Sequence, residues 1–298
     1  MIPWWQYSLL SLGLAGLIAF PARADEKEGM PDLAQIEQTC LPTSTANLII
    51  WFGKHGYPKL LLSGATSDDR DLHVVHGIMM DTNARFDLGT RPDTIATGIE
   101  KYIREAGYDC DVEYRGLGGK KPFTQDWLKE NDDPNKGFIL LLAYMHVEYN
   151  PGGVIFSPAL NMGHAVTLVN AEPDMILIHD PAHENDETGR KIITPEPIPE
   201  GTLQEVGASE PVAGLLLLKG SLLGAPPDSE VMLTGAVCVT MHQAGQPKDS
   251  SPDSSAPSNA TIAAAGTNTP VTSPSTPIAP NSANTTWVAW LFELIFGK

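Results

Sequence analysis

Residues 164–180 read His164-Ala165-Val166-Thr167-Leu168-Val169-Asn170-Ala171-Glu172-Pro173-Asp174-Met175-Ile176-Leu177-Ile178-His179-Asp180, and the way this stretch folds decides both architecture and chemistry. Ala165 to Asn170 and Met175 to His179 are apolar, β-branched runs of strand length. Between them lies a segment rich in turn formers, with Pro173 best placed in the loop. An antiparallel hairpin centred on Glu172 sets His164 directly opposite Asp180, on one face and with Cβ atoms about 4.5–5.5 Å apart. A slip of one residue would send the two side chains to opposite faces. A carboxylate beside an imidazole fixes the ring's tautomer and orientation, which is the base half of a cysteine or serine triad. Taken singly, His164 also reads as a strand-edge histidine and Asp180 as a turn residue before Pro181.

Upstream, Phe138-Ile139-Leu140-Leu141-Leu142 within Gly137 to Tyr149 is the signature of a strand buried on both faces. Helices precede it: one from near Pro42 to about Gly53, a second over Asp68 to Met80, and a third with Thr90 as cap, Pro92 just inside and Gly107 as stop. Asp109 to Arg115 alternates as a strand, a short helix spans Thr124 to Glu130, and later strands fall at Ala213–Lys219 and Val231–Met241. Helices first and strands later make the expected class α+β.

The nucleophile that would complete the couple is Cys40, in Thr39-Cys40-Leu41-Pro42-Thr43-Ser44. Pro42 suits a first helical turn, so the thiol sits at the positive end of a helix dipole, where the thiolate is favoured. A cysteine before a helix is by itself more often a small buried hydrophobe. Other clusters are weaker. His73 with His76, and His179-Asp180-x-x-His183, lack the further ligands a metal needs, and Pro181 breaks any helix through the second pair. Gly116-x-Gly118-Gly119 before Lys120-Lys121 lacks the spacing of a phosphate loop. Neither a metal nor another cofactor is expected.

Cys-x-Pro-Thr-Ser at Cys40 to Ser44, Gly163-His164 leading a strand and Asp180-Pro181 after it together resemble the papain-like cysteine peptidases. The branch they are most similar to is the bacteriocin-processing, double-glycine leader peptidases. Gly89-Thr90-Arg91-Pro92 opening a helix adds to the likeness, which spans roughly Pro31 to Pro181. The resemblance implies N-terminal helices packed on an antiparallel sheet, a Cys40–His164–Asp180 triad and a peptide or protein substrate. It also implies a glutamine that donates to the oxyanion, for which Gln35 is the candidate. The chain departs from the branch at Gln35, one residue nearer the cysteine than usual, and at Leu41, where glycine is common. The leading reading is therefore an exported hydrolase of peptide or related amide bonds. The alternative is a catalytically inactive papain-like module acting in binding or surface interaction.

Export follows from the N-terminus: an apolar run of 13 residues, Ser8 to Phe20, then Pro21-Ala22-Arg23-Ala24 and an abruptly acidic start. Residues 1–24 are read as a signal peptide, 25–243 as the peptidase domain, and the product as secreted, periplasmic or held in the cell envelope. With 36 acidic against 19 basic side chains the surface repels nucleic acid, which is excluded as a partner. Residues 244–286, dominated by Pro, Ser, Thr, Ala, Asn and Gly, read as a disordered linker. In the final segment, 287–298, the apolar stretch Trp287 to Phe296 is too short to span a bilayer. It suits a protein partner's groove or a membrane interface as well as packing on its own domain. Three cysteines leave an odd thiol; Cys110 and Cys238 read equally well as a disulfide and as two buried thiols.

Overall fold

The computed structural model describes residues 27–242 except 65, 85–89, 91, 118, 151–152, 184–187, 199–200, 206–207, 212–214 and 221–224. The expected signal segment, linker and apolar C-terminal segment lie outside the described residues. Three helices lead: α1 (Cys40–Lys54), α2 (Ser67–Asp81) and α3 (Pro92–Glu105). Strand β1 (Asp109–Gly116) and a short helix α4 (Gln125–Leu128) follow. The remainder is strand: β2 (Lys136–Asn150), β3 (Gly153–Glu172), β4 (Met175–His179), β5 (Arg190–Pro197), β6 (Gly201–Glu205), β7 (Ala208–Pro211), β8 (Leu216–Lys219) and β9 (Glu230–His242). No described helix is long and apolar enough to cross a membrane.

Strand β2 organises the whole. It pairs antiparallel with β3 on one edge and β9 on the other. From β3 the pairing passes through β4, β5 and β8 and returns to β9, which closes an antiparallel barrel. Strand β1 extends β9, while β6 and β7 hang from the outer end of β3, β6 in the one parallel pairing among those described. Side chains of β2 from Phe138 to Leu142 alternate between two cores, which is why that run is apolar without a break. Phe138, Leu140 and Leu142 fill the barrel, where Trp127 of α4 meets Phe138 edge-on at 4.8 Å between centroids. Ile139 and Leu141 face the helices. The fold is thus a mixed helix-and-sheet arrangement with α1, α2 and α3 on one side of a closed antiparallel barrel and α4 packed into the barrel core.

Cys110 and Cys238 are both free and belong to different cores. Cys110 pairs with Met241 across β1 and β9; Cys238, an odd number of positions along β9, points through the opposite face. Sheet geometry thus rules out a disulfide between them. Thr90, expected as the cap of α3, has a buried hydroxyl with no hydrogen-bond partner among the described residues, and the helix begins at Pro92.

Helix α1 is buried along nearly its entire length, including its polar residues Thr43, Ser44, Thr45 and Asn47. Polar groups held out of water favour bonding, and those of Ser44 and Asn47 reach the sheet, whereas the Thr43 hydroxyl meets Thr39 Oγ1 at 3.3 Å and Thr45 Oγ1 has no partner among the described residues. Ser44 donates its hydroxyl to the Ala165 carbonyl at 2.9 Å, and Thr167 donates its hydroxyl back to the Ser44 carbonyl at 2.8 Å. Asn47 accepts the Leu33 N–H at 3.1 Å and donates to Thr167 Oγ1 at 3.4 Å. The helix lies so close to β2 that a Cβ on Gly137 would fall 2.2 Å from Leu48 Cδ1. This ladder sets the height of α1 along β3, and therefore of Cys40 against His164. Asn47→Ala leaves the Leu33 N–H without its acceptor and is expected to cost about 1–3 kcal/mol. The urea midpoint should fall with an unchanged slope; an unmoved midpoint would show that the ladder holds nothing.

Candidate active site

Cys40 is the first residue of α1, preceded by a tight turn. Thr39 does not cap the helix with its side chain; its hydroxyl accepts the Ile36 N–H at 3.0 Å and donates to the Ile36 carbonyl at 2.7 Å. Glu37, in that turn, adopts the left-handed conformation with φ 52°. No acidic residue stands in the first helical turn, so the positive end of the dipole is left for the thiol.

The half-buried Cys40 is hydrogen-bonded to the ring of His164. Burial pushes its thiol up. The His164 hydrogen bond and charge, with the N–H groups of Ala165 and Leu41, pull it down further, and the net shift is downward. His164 is buried, and its Nε2 lies 2.7 Å from Asp180 Oδ1. Burial alone would lower the imidazole; hydrogen bonds to Asp180 and Cys40 and their charges outweigh it and raise the ring to about 10. A thiol pulled down beside a ring pushed up favours the thiolate–imidazolium form of the pair over the neutral one. Asp180 is fully buried, and its Oδ1 also accepts the Ala182 N–H at 3.0 Å. Tyr144 lies nearly parallel to the His164 ring, 6.5 Å between centroids. Burial, then the charges of Asp180 and Cys40, keeps its phenol protonated far above the usual range. In contrast, burial pushes the thiols of Cys110 and Cys238 up to about 12.

His164 and Asp180 therefore meet, but not directly across the hairpin as expected. The turn is tighter: Glu172 pairs with Met175 around a two-residue loop, Pro173-Asp174, and the register shifts between Leu168 and Asn170, so that Thr167 pairs with His179. Carried on, that register sets Ala182 opposite His164 and Asp180 on the diagonal. Turn and irregularity together displace the pairing by an even number of residues, so both side chains keep the same face. Diagonal neighbours remain within reach of long side chains.

Gln35 differs from expectation. Its amide donates to the Glu37 carbonyl at 2.8 Å, and its Oε1 is buried with no hydrogen-bond partner among the described residues. With the turn at Glu37 folding back, the short spacing to Cys40 leaves the side chain committed within its own loop. Its backbone N–H instead ties to the Pro181 carbonyl at 2.8 Å, bringing the loop before the nucleophile against the residue after Asp180. His73 and His76 are exposed on α2. His179 and His183 flank Asp180 and turn towards Asp32, at 3.9 and 3.4 Å. Asp32 carried no motif that would have singled it out.

No protein-family model and no curated protein sequence matches the chain. A crystal structure of a candidate C39-like peptidase from Bacillus anthracis aligns over 56% of this chain and 85% of its own, at 13% identity and a TM-score of 0.33. A likeness at that level carries no weight about family or activity, and the reading of the site stands on its own geometry.

Proposed function

We propose that the protein is an exported, papain-like cysteine hydrolase that cleaves peptide or related amide bonds. The observation that carries this reading is the hydrogen-bonded chain from Cys40 through His164 to the buried Asp180 at the open end of a helix. The thiolate of Cys40 attacks the carbonyl carbon, and the electron pair moves to oxygen. In the first turn of α1, Pro42 has no N–H and the Thr43 N–H is bonded to the Thr39 carbonyl, so the Cys40 N–H is the backbone donor in place for that charge. His164 gives its proton to the leaving nitrogen as the C–N bond breaks, leaving a thioester on Cys40. Neutral His164 then takes a proton from water, which attacks the thioester and releases the acid and the sulfur. Asp180 holds the ring throughout.

The test is a peptide carrying a thiol-directed electrophile. It should label the chain on one residue, identified by mass spectrometry as Cys40, and Cys40→Ala should abolish labelling. The second reading, a silent module of the same fold used for binding, draws on one observation: the Gln35 amide donates to the Glu37 carbonyl within its own loop. Wild-type labelling no faster than that of a small-molecule thiol would decide for it. Export is tested separately by the N-terminal sequence of the protein recovered outside the cytoplasm, which should begin at Asp25.

A further inference from the structure

Asp32 lies outside the hydrogen-bonded chain that begins at Cys40, yet it grips the segment that carries Asp180. Its Oδ2 accepts the Gly189 N–H and the Thr188 hydroxyl, both at 2.9 Å. Its Oδ1 lies 3.4 Å from His183 Nε2. The carbonyl of the same Gly189 accepts the N–H of Asp180 at 2.8 Å. One residue thus bridges the two aspartates, its N–H to Asp32 and its C=O to Asp180. There is no room for more than hydrogen at that point. A Cβ on residue 189 would fall 2.3 Å from the Asp180 carbonyl oxygen, 2.5 Å from His183 Cδ2 and 2.6 Å from Asp32 Oδ1. On either side of this bridge the same strap is pinned again: His179 Nδ1 meets the Pro31 carbonyl at 2.7 Å, and the Gln35 N–H meets the Pro181 carbonyl at 2.8 Å. Residues 31–35, which lead into the nucleophile's loop, are therefore fastened to His179, Pro181, Thr188 and Gly189, on both sides of Asp180.

We infer that Asp32 is a positioning residue for the site: acting through Gly189, it fixes Asp180 against His164 and ties that carboxylate to the loop that carries Cys40. The role rests on the triad reading above. It follows from geometry that Asp180 stands just past the end of β4, where the ladder to β3 no longer holds its backbone. Something else must set its position, because a displacement near one ångström in a catalytic constellation costs about a hundredfold in rate.

The experiment is the pH dependence of Cys40 alkylation by iodoacetamide in the full chain, for wild type, Asp32→Ala, Asp32→Asn, Gly189→Ala and His164→Ala, with melting temperatures alongside. Asp32→Ala is expected to slow alkylation near neutral pH by about ten- to a hundredfold and to move the acid limb of the profile upward. Asp32→Asn keeps an oxygen for the Gly189 N–H and should recover most of the rate. Gly189→Ala, with Asp32 intact, should show the same defect, which keeps the test decisive if Asp32→Ala does not fold. Alanine variants at 32 and 189 that melt earlier but keep the wild-type profile would overturn the positioning role, as would an Asn variant as slow as Ala. If wild-type alkylation does not depend on His164, the triad reading itself fails; if it does and the variants still match wild type, only the role of Asp32 falls.

Discussion

His164→Ala is expected to slow alkylation of Cys40 by about a hundredfold or more near pH 6, because the reactive species is the thiolate and its stabilising partner is gone. Burial is the largest influence on this thiol and acts upward; what reverses it is the imidazole, aided by the Ala165 and Leu41 N–H groups. Without the ring, Cys40 should titrate at or above its ordinary value of 9.0. Wild type should instead show a broad plateau through neutral pH, with an acid limb where the depressed thiol is protonated and no rise at the ordinary thiol pKa. Cys110 and Cys238 provide internal controls, since burial holds both near 12. Equal rates for wild type and His164→Ala at low pH would remove the ion pair and the mechanism built on it.

The same pair shapes stability. Cys40 is an acid whose folded pKa is depressed, so its contribution is present above the unfolded value of 9.0 and is lost as pH falls through the folded value. His164 is a base whose folded pKa is raised to about 10, so its contribution is present below 6.5 and is lost as pH rises through 10. Just below 9.0 the two contributions run in opposite senses, so the folded chain keeps its proton on the ring while the unfolded chain keeps one on the sulfur, and stability changes little. Above 9.0 the folded chain holds the extra proton. Thermal midpoints, compared with Cys40→Ala, should therefore lose their excess as pH rises from 9.0 through 10.

Much of this arrangement is legible in the chain, and the reasons are local. Strand β4 is a short apolar run between Pro173-Asp174 and Pro181, and it occupies Met175–His179 as read. The unbroken apolar run of β2 announces burial on both faces, although not that one face looks into a barrel. The hairpin pattern sets His164 opposite Asp180; the actual register lies two residues away, and that even shift keeps both side chains on one face. What stayed hidden depends on distant partners. Strand β5 contains Pro195 and Pro197, which argue against a strand. In the fold β5 has β4 beside it only from Arg190 to Ile193 and β8 only from Thr194 to Pro197, so the prolines sit where one neighbour suffices. Closure of the barrel through β5 and β8 has no local signature. The Ser44 hydroxyl and the Asn47 amide carry no signal of their own within the expected helix, and only the facing Ala165 and Thr167 show them to be a docking ladder. Asp32 is one acidic residue among 36 until Gly189 is folded against it.

The most severe loss is expected at Asp180. Its carboxylate is fully buried and holds His164 Nε2 at 2.7 Å. Asp180→Ala removes the partner of a buried imidazolium and the acceptor of the Ala182 N–H. Breaking one side of a buried ion pair costs about 3–5 kcal/mol, because the charge that remains is uncompensated. The chain has a way to lessen that cost, which is to surrender the proton. Burial then becomes the stronger influence on His164 and draws its pKa down, and Cys40, losing the imidazolium, is drawn up. Asp180→Asn separates the two effects, since it keeps the shape and one oxygen while removing the charge. Its stability loss should be the smaller, about 1–3 kcal/mol for an imperfectly met hydrogen bond, yet its alkylation profile should narrow from both limbs much as in the alanine variant. Stability by urea titration and reactivity by the alkylation profile would thus move apart in the Asn variant. If the carboxylate were only a structural prop, Asp180→Asn would keep the wild-type profile, and the orienting role would have to be given up.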